Sequence, residues 1–239
     1  MALKSVVVDG KEFDIAYDII NVNMDKTIVF LHGWGSNKEI MKQAFSSHLK
    51  AFKHIYIDMP GFGKSPTSYS LTTNQYANII DIFLKNLKVN VVAIAGHSFG
   101  GKVATLLNPN NLILLSTAGI LEKKSFGVKL KIKASKIFKK LGLGNITKLF
   151  RSKDVDSMSE NMYQTFKNVL NEDFTNNFNS YEKNGMIFWG ENDSATSLES
   201  GKKIHSLIKG SSFYSYKSDH FFFLKFAPDI CQKIENGIS

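Results

Sequence analysis

From Val89 the chain runs through an apolar stretch into Gly96-His97-Ser98-Phe99-Gly100-Gly101, and the residues after it, Lys102 to Leu107, read as a helix. A serine placed on a strained turn between strand and helix needs small neighbours, because its flanks pass close to other backbone. Gly96 and Gly100 supply them. Such a turn lifts the Ser98 hydroxyl off the sheet edge, and the N–H of Phe99 opens a helix, where negative charge is favoured. Ser98 is therefore the candidate nucleophile, and the Phe99 N–H a candidate donor to an oxyanion.

The surrounding pattern is one of alternating strands and helices. Val6–Val8 and Phe13–Tyr17 flank Asp9-Gly10, a strong hairpin signal. Thr27–Leu31 reads as a buried strand that ends in His32-Gly33-Trp34-Gly35. Asn37 can cap a helix over Lys38–Leu49, and His54–Ile57 forms a short strand before Asp58-Met59-Pro60-Gly61-Phe62-Gly63-Lys64-Ser65, read as a structural turn. Tyr76, Ile79, Ile80, Phe83, Leu84 and Leu87 recur at helical spacing. Strands at Val91–Ala95, Leu112–Leu115, Met186–Trp189 and Phe213–Tyr216, with helices near Ser200–Ile208 and Leu224–Asn236, continue the alternation that parallel crossover units require.

The interruption lies between residues 121 and 183. From Lys123 to Lys153 there are eleven basic residues and no Asp or Glu, so the remainder of a chain of net charge +9 carries a net charge of −2. The expected organisation is a core of residues 1–120 and 184–239 with a basic helical lid, 121–183, inserted in it. On the lid, Leu130, Ala134, Ile137, Phe138 and Leu141 share one helical face while lysines crowd the others. Such a helix can cover an acyl pocket and show water a positive surface. That surface serves solubility, or attracts an anionic substrate, an anionic carrier protein or an anionic membrane surface. Nucleic acid fits poorly, since the lysines are not interleaved with base-stacking aromatics.

No apolar run approaches the roughly 18 to 20 residues of a membrane span, and Met1–Lys11 lacks a signal-like apolar core, so a cytoplasmic location is expected. The single cysteine, Cys231, reads as a core residue, and no His, Cys or carboxylate cluster has metal-ligand spacing.

In an open parallel sheet, ligands collect beyond the carboxyl ends of the strands. Loops there hold Gly190-Glu191-Asn192-Asp193 and Lys217-Ser218-Asp219-His220. His220 is the candidate base, and Asp193 the acid that would fix its tautomer. Glu191 is a rival acid; Asp219 is poorly placed because adjacent side chains on an extended segment point apart. Gly33 lets the backbone turn and present the Trp34 N–H as the second oxyanion donor, each such donor being worth about 3 to 4 kcal/mol of barrier. Trp34, Met59 and Phe221 are expected on the substrate side. His32 and His97 are expected to orient loops by hydrogen bonding, and His48, His54 and His205 to lie on surfaces.

Taken together, His32-Gly33-Trp34-Gly35, Asp58 to Ser65, Gly96 to Gly101, Trp189 to Asp193 and Asp219-His220-Phe221 resemble the α/β-hydrolase superfamily over nearly the whole chain. The resemblance implies a mostly parallel eight-stranded sheet with a helical cap after the sixth strand. It also implies a serine hydrolase without cofactor. Within the superfamily the chain most resembles lidded esterases and the carbon–carbon bond hydrolases of ring-cleavage products; the main expectation is a carboxylesterase or thioesterase on a small or medium acyl substrate, and a carbon–carbon bond hydrolase is the alternative within the family. The alternative from another class is a catalytically idle, basic interaction module on the same fold. Where the family usually has proline shortly after the acid, this chain has Ala195-Thr196-Ser197, a departure that bears on the shape of the loop.

Overall fold

The computed structural model describes residues 1–121 and 158–238. Its strands are β1 (Ala2–Val8), β2 (Lys11–Ile20), β3 (Lys26–Leu31), β4 (Lys53–Ile57), β5 (Asn90–His97), β6 (Asn111–Leu115), β7 (Asn184–Gly190) and β8 (Ser212–Tyr216). They form one sheet in the order β1-β2-β4-β3-β5-β6-β7-β8. The β1–β2 and β2–β4 pairs are antiparallel and all the others parallel. The described helices are α1 (Lys38–Phe45), α2 (Thr73–Leu87), α3 (Phe99–Leu107), α4 (Glu160–Leu170), α5 (Thr175–Asn179), α6 (Leu198–Leu207) and α7 (Phe223–Gly237). None of them is long and apolar enough to cross a membrane.

The central strands read as unbroken apolar runs because both of their faces are covered. Val29, Leu31, Leu114 and Ile187 pack on one side with Ile80 and Phe83 of α2, Val103 of α3 and Ile204 of α6. Ile28, Phe30, Ile113 and Phe188 pack on the other with Met41 and Phe45 of α1 and Ile230 and Ile234 of α7. The eight-stranded, mostly parallel α/β architecture expected from the sequence is the one observed.

Several details differ from the sequence expectation, each for a physical reason. β2 runs ten residues because its second half pairs with β4, Tyr17 opposite Ile57, a contact that local pattern does not encode. α1 ends at Phe45 rather than Leu49, which adopts a left-handed conformation at φ 51°. α7 is kinked at Phe226 (φ −107°, ψ 16°), two residues before Pro228, which has no N–H to give the helix and crowds the preceding turn.

Of the expected lid, the basic helix carrying Leu130 to Leu141 lies outside the described residues. The described part, 158–183, holds α4 and α5, and Phe174, Phe178 and Tyr181 are buried in the same core as α2 and α3. An ion pair with a buried lysine ties this part down: Lys102 Nζ on α3 reaches Oε2 of the partly exposed Glu172 at 2.6 Å and the Val169 carbonyl at 2.7 Å. Burial pulls the Lys102 pKa down, and the Glu172 carboxylate only partly offsets it.

The Asp58–Ser65 segment is a crosslinked turn. The Asp58 carboxylate accepts the Lys38 N–H at the start of α1 (2.7 Å) and the Lys64 N–H (2.9 Å). Ser65 Oγ donates to the Asp58 carbonyl at 2.6 Å and accepts the Ala16 N–H at 2.8 Å. Phe62 is thereby held against Trp34, ring centroids 4.9 Å apart.

Candidate active site

β3 and β5 are neighbours although β4 separates them in sequence, so successive crossovers leave in opposite directions from this point of the sheet. Loops beyond strand ends part there and leave a crevice. Leu31 lies beside Gly96 in register, which places the loop after β3 next to the turn after β5.

Ser98 occupies that turn with φ 51° and ψ −115°, a conformation that an L-residue holds only when its surroundings impose it. The imposing contacts are visible. The Ser98 N–H donates to the Leu115 carbonyl at 3.1 Å, and its carbonyl accepts from Gly101 N, Ala118 N and Thr117 Oγ1 at 3.0 to 3.1 Å. A Cβ on Gly100 would sit 2.5 Å from the carbonyl oxygens of Leu31 and His32, so only glycine lets α3 press against the loop after β3. Phe99 begins α3 directly after Ser98, with its N–H among the unpaired donors of the first helical turn.

The loop after β3 is set by His32, which is fully buried. Its Nε2 accepts the Met59 N–H at 3.1 Å, so Nδ1 carries the proton and donates to the Gly33 carbonyl at 2.8 Å. In a trans peptide the N–H points opposite the carbonyl, so holding the Gly33 oxygen also aims the Trp34 N–H. A Cβ on Gly33 would come 3.1 Å from Ser98 Cβ and 2.9 Å from His97 Nδ1, which shows how close this loop lies to the serine. Burial takes the His32 pKa down to about 4, with the Gly33 carbonyl and Asp58 opposing, so the ring stays neutral.

On the other side, His220 Nδ1 meets Asp193 Oδ2 at 2.6 Å. The Asp193 side chain is fully buried. Burial raises its pKa, but the His220 hydrogen bond, the Thr196 N–H, the charge interaction with His220 and the Ser116 hydroxyl outweigh that and hold it at about 2. The rival acids are engaged elsewhere: Glu191 Oε1 accepts Ser215 Oγ at 2.8 Å, and Asp219 Oδ1 accepts the Phe221 N–H at 2.9 Å. His97 Nε2 donates to the His220 carbonyl at 3.1 Å, and the two rings lie 4.5 Å apart. Burial first, and then the neighbouring His220, lowers the His97 pKa to about 3. Both flanking histidines thus hold loops, as their positions in the sequence suggest. Among the described residues no hydrogen bond joins Ser98 Oγ to His220, a link that in unliganded hydrolytic sites often tightens only with substrate.

Trp34 stands over the site, its ring against Phe62, Phe99 and Phe166. A cavity of about 750 Å³ opens beside it, lined by Trp34, Gly61, Phe62, Met158 and Met162 among others. Phe221 is 43% exposed at the rim, 5.4 Å from the His220 ring. Met59, expected to face substrate, is instead fully buried in the core and meets the site through its backbone N–H alone. His54, expected on a surface, is also fully buried, between Tyr56 Oη and the Leu49 carbonyl. Thr196 and Ser116, both on Asp193, and Phe166 and Met162, on the cavity side, have no distinguishing signal in the sequence. Among the described residues no cluster of His, Cys, Asp or Glu could hold a metal ion.

A family model for the alpha/beta hydrolase family matches residues 28–179, well over half the chain. The chain belongs to the alpha/beta hydrolase family. The matched part of this alpha/beta hydrolase contains the loop after β3 and the Ser98 turn and stops before Asp193 and His220. A putative esterase/lipase 2 of Mycoplasma genitalium is 30% identical over 118 residues, 47% of this chain and 44% of that protein. A pimeloyl-[acyl-carrier protein] methyl ester esterase of Vibrio campbellii is 36% identical over 78 residues, 33% of this chain and 29% of that protein. The alignments span less than half the length of these curated relatives. Among solved structures, a thermophilic esterase from Thermogutta terrifontis superposes with a TM-score of 0.74 at 15% identity, over 99% of this chain and 97% of that one. A meta-cleavage product hydrolase from Pseudomonas fluorescens gives 0.72 at 15% identity, over 98% and 96%. At such identities the likeness is one of fold.

Proposed function

We propose that this alpha/beta hydrolase is a serine esterase that works through an acyl-enzyme on a small or medium acyl substrate. The observation that carries the reading is the short Asp193–His220 bond on a loop that His97 ties to the strained Ser98 turn. In this reading His220 Nε2 takes the Ser98 proton as Oγ attacks the ester carbonyl, while Asp193 holds Nδ1–H and stabilises the imidazolium. The negative oxygen of the tetrahedral intermediate is received by the N–H groups of Trp34 and Phe99. His220 returns the proton to the departing alcohol, then activates water to free the acid and restore Ser98. The apolar wall of Trp34, Phe62 and Met162 supports an acyl side chain there. The esterase names of two relatives that match part of the chain support the same reaction class.

Fluorophosphonate labelling followed by a chain-length series of p-nitrophenyl esters tests this. Wild-type protein is expected to label and to turn over medium-chain esters, and Ser98→Ala to do neither. Folded wild-type protein that resists the probe, or a Ser98→Ala variant that labels equally, overturns the reading. Turnover of a ring-cleavage product in preference to every ester would move the substrate to the carbon–carbon class while keeping the nucleophile.

A further inference from the structure

The fully buried Asp193 carboxylate is held by the Ser116 hydroxyl and by three other residues, one of which, Thr196, makes two hydrogen bonds to it. Oδ1 accepts the N–H groups of Ala195 and Thr196 at 2.8 and 2.9 Å. Oδ2 accepts His220 Nδ1 at 2.6 Å and Thr196 Oγ1 at 2.9 Å. Thr196 therefore grips both carboxylate oxygens, and its hydroxyl shares with His220 the one oxygen that faces the imidazole. Thr196 is itself pinned, because its carbonyl accepts Trp189 Nε1 at 3.0 Å. Its hydroxyl has a second acceptor within reach, the Ser116 carbonyl at 3.1 Å. One hydroxyl donates one proton, and the charged carboxylate is both the nearer and the stronger acceptor. The next residue, Ser197, caps α6 through Ser200 N, so the Ala195-Thr196-Ser197 departure from the usual proline builds a defined loop.

We propose that Thr196 is a positioning residue of this hydrolase, its hydroxyl fixing the rotation of the Asp193 carboxylate and limiting how strongly Oδ2 draws on the His220 N–H. The proposal rests on the Ser98–His220–Asp193 reading above. A donor on Oδ2 spreads its negative charge, so less of it stabilises the imidazolium. Without that donor the imidazolium is favoured, and His220 is neutral, and so able to act as a base, only at higher pH. Among the described residues, the titratable groups in contact with His220 are Asp193 from the loop after β7 and His97 from the end of β5, and Asp219 precedes it in the chain. Of these only Asp193 receives the Thr196 hydroxyl.

The experiment compares wild type, Thr196→Val and Thr196→Ser by kcat and KM on a p-nitrophenyl ester, and by fluorophosphonate labelling rate, from pH 5 to 9. Thr196→Val is expected to move the acid limb of both profiles up by about half to one pH unit. It should also lower kcat about tenfold with KM within about twofold, as expected when an interaction acts on the transition state. Thr196→Ser, which keeps the hydroxyl, should restore the wild-type limb. If the valine variant does not fold, Thr196→Ala carries the same expectation. A loss of rate or stability with an unmoved acid limb overturns the proposal and leaves the esterase reading intact. Wild-type protein that neither labels nor turns over ester overturns both.

Discussion

The two sides of the Ser98 turn use histidine in opposite ways. On the Asp193 side the imidazole of His220 is partly exposed, is paired with a carboxylate and is the group that would move a proton. On the Trp34 side the imidazole of His32 is fully buried and bonded to two backbone groups, and its only product is the direction of a peptide plane. His97 belongs with His32, since it too is buried and holds a carbonyl. The difference lies in what surrounds each ring. A carboxylate bonded directly to the ring supports a charged imidazolium, whereas complete burial with only backbone hydrogen-bond partners outweighs the nearby Asp58 and Asp193 charges and removes it, so one residue type becomes a proton carrier or a fixed bracket.

The comparison breaks first at Asp193. Asp193→Asn keeps the shape but reverses the donor that His220 Nδ1 meets, so the ring is driven to the wrong tautomer. Turnover of a p-nitrophenyl ester should fall by about 10⁴-fold. Glu191→Gln, which alters a carboxylate engaged with Ser215, should stay within about twofold. If the two variants fell equally, the acid of the site would not be Asp193 alone.

A smaller effect is expected on the bracket side. His32→Ala removes one of the two donors on the Gly33 carbonyl, leaving the Ser36 N–H at 3.2 Å, and so loosens the Trp34 N–H, the proposed oxyanion donor, without deleting it. Deleting such a donor costs about 10²- to 10³-fold in kcat, so a loss of about 100-fold is expected, with KM little changed. Steady-state kinetics on the same ester separate the two parameters. A change confined to KM would place His32 in substrate binding and remove the distinction between the two sides.

How far each side could be read from the sequence follows from what kind of signal it leaves. The turn at Ser98 needs small residues at fixed offsets, and the strands behind it are apolar on both faces, so Gly96, Gly100 and runs such as Thr27–Leu31 and Met186–Trp189 are visible in the chain itself. Asp193 and His220 were legible because they follow strand ends in an order that fits the architecture. Met59 and His54 were misplaced for the same reason as each other: pattern gives the loop or strand, and not which way one side chain turns within it. Thr196 left no mark, because a threonine among Ser194, Ala195 and Ser197 is unremarkable until the fold wraps its backbone and hydroxyl around one carboxylate. The Lys102–Glu172 pair was equally hidden, joining residues seventy positions apart that each look like ordinary surface charges.

The brackets also leave a thermodynamic signature, smaller than either kinetic effect. His32 and His97 have folded pKa values of about 4 and about 3, against 6.5 when unfolded. Between pH 6.5 and these values the unfolded chain binds protons that the folded one refuses, so stability is complete above about pH 6.5 and is lost as pH falls. Each histidine contributes a slope of at most about 1.4 kcal/mol per pH unit. Urea unfolding followed by tryptophan fluorescence at pH 6.5, 5.5 and 4.5 measures it, above the range where the Asp193 carboxylate protonates. Replacing His97 with Gln should flatten the dependence by one such increment, because glutamine keeps a donor for the His220 carbonyl and has no proton to gain. A wild-type stability that is level across this window would mean that the buried rings take up protons in the folded protein, and a ring that does so is no fixed bracket.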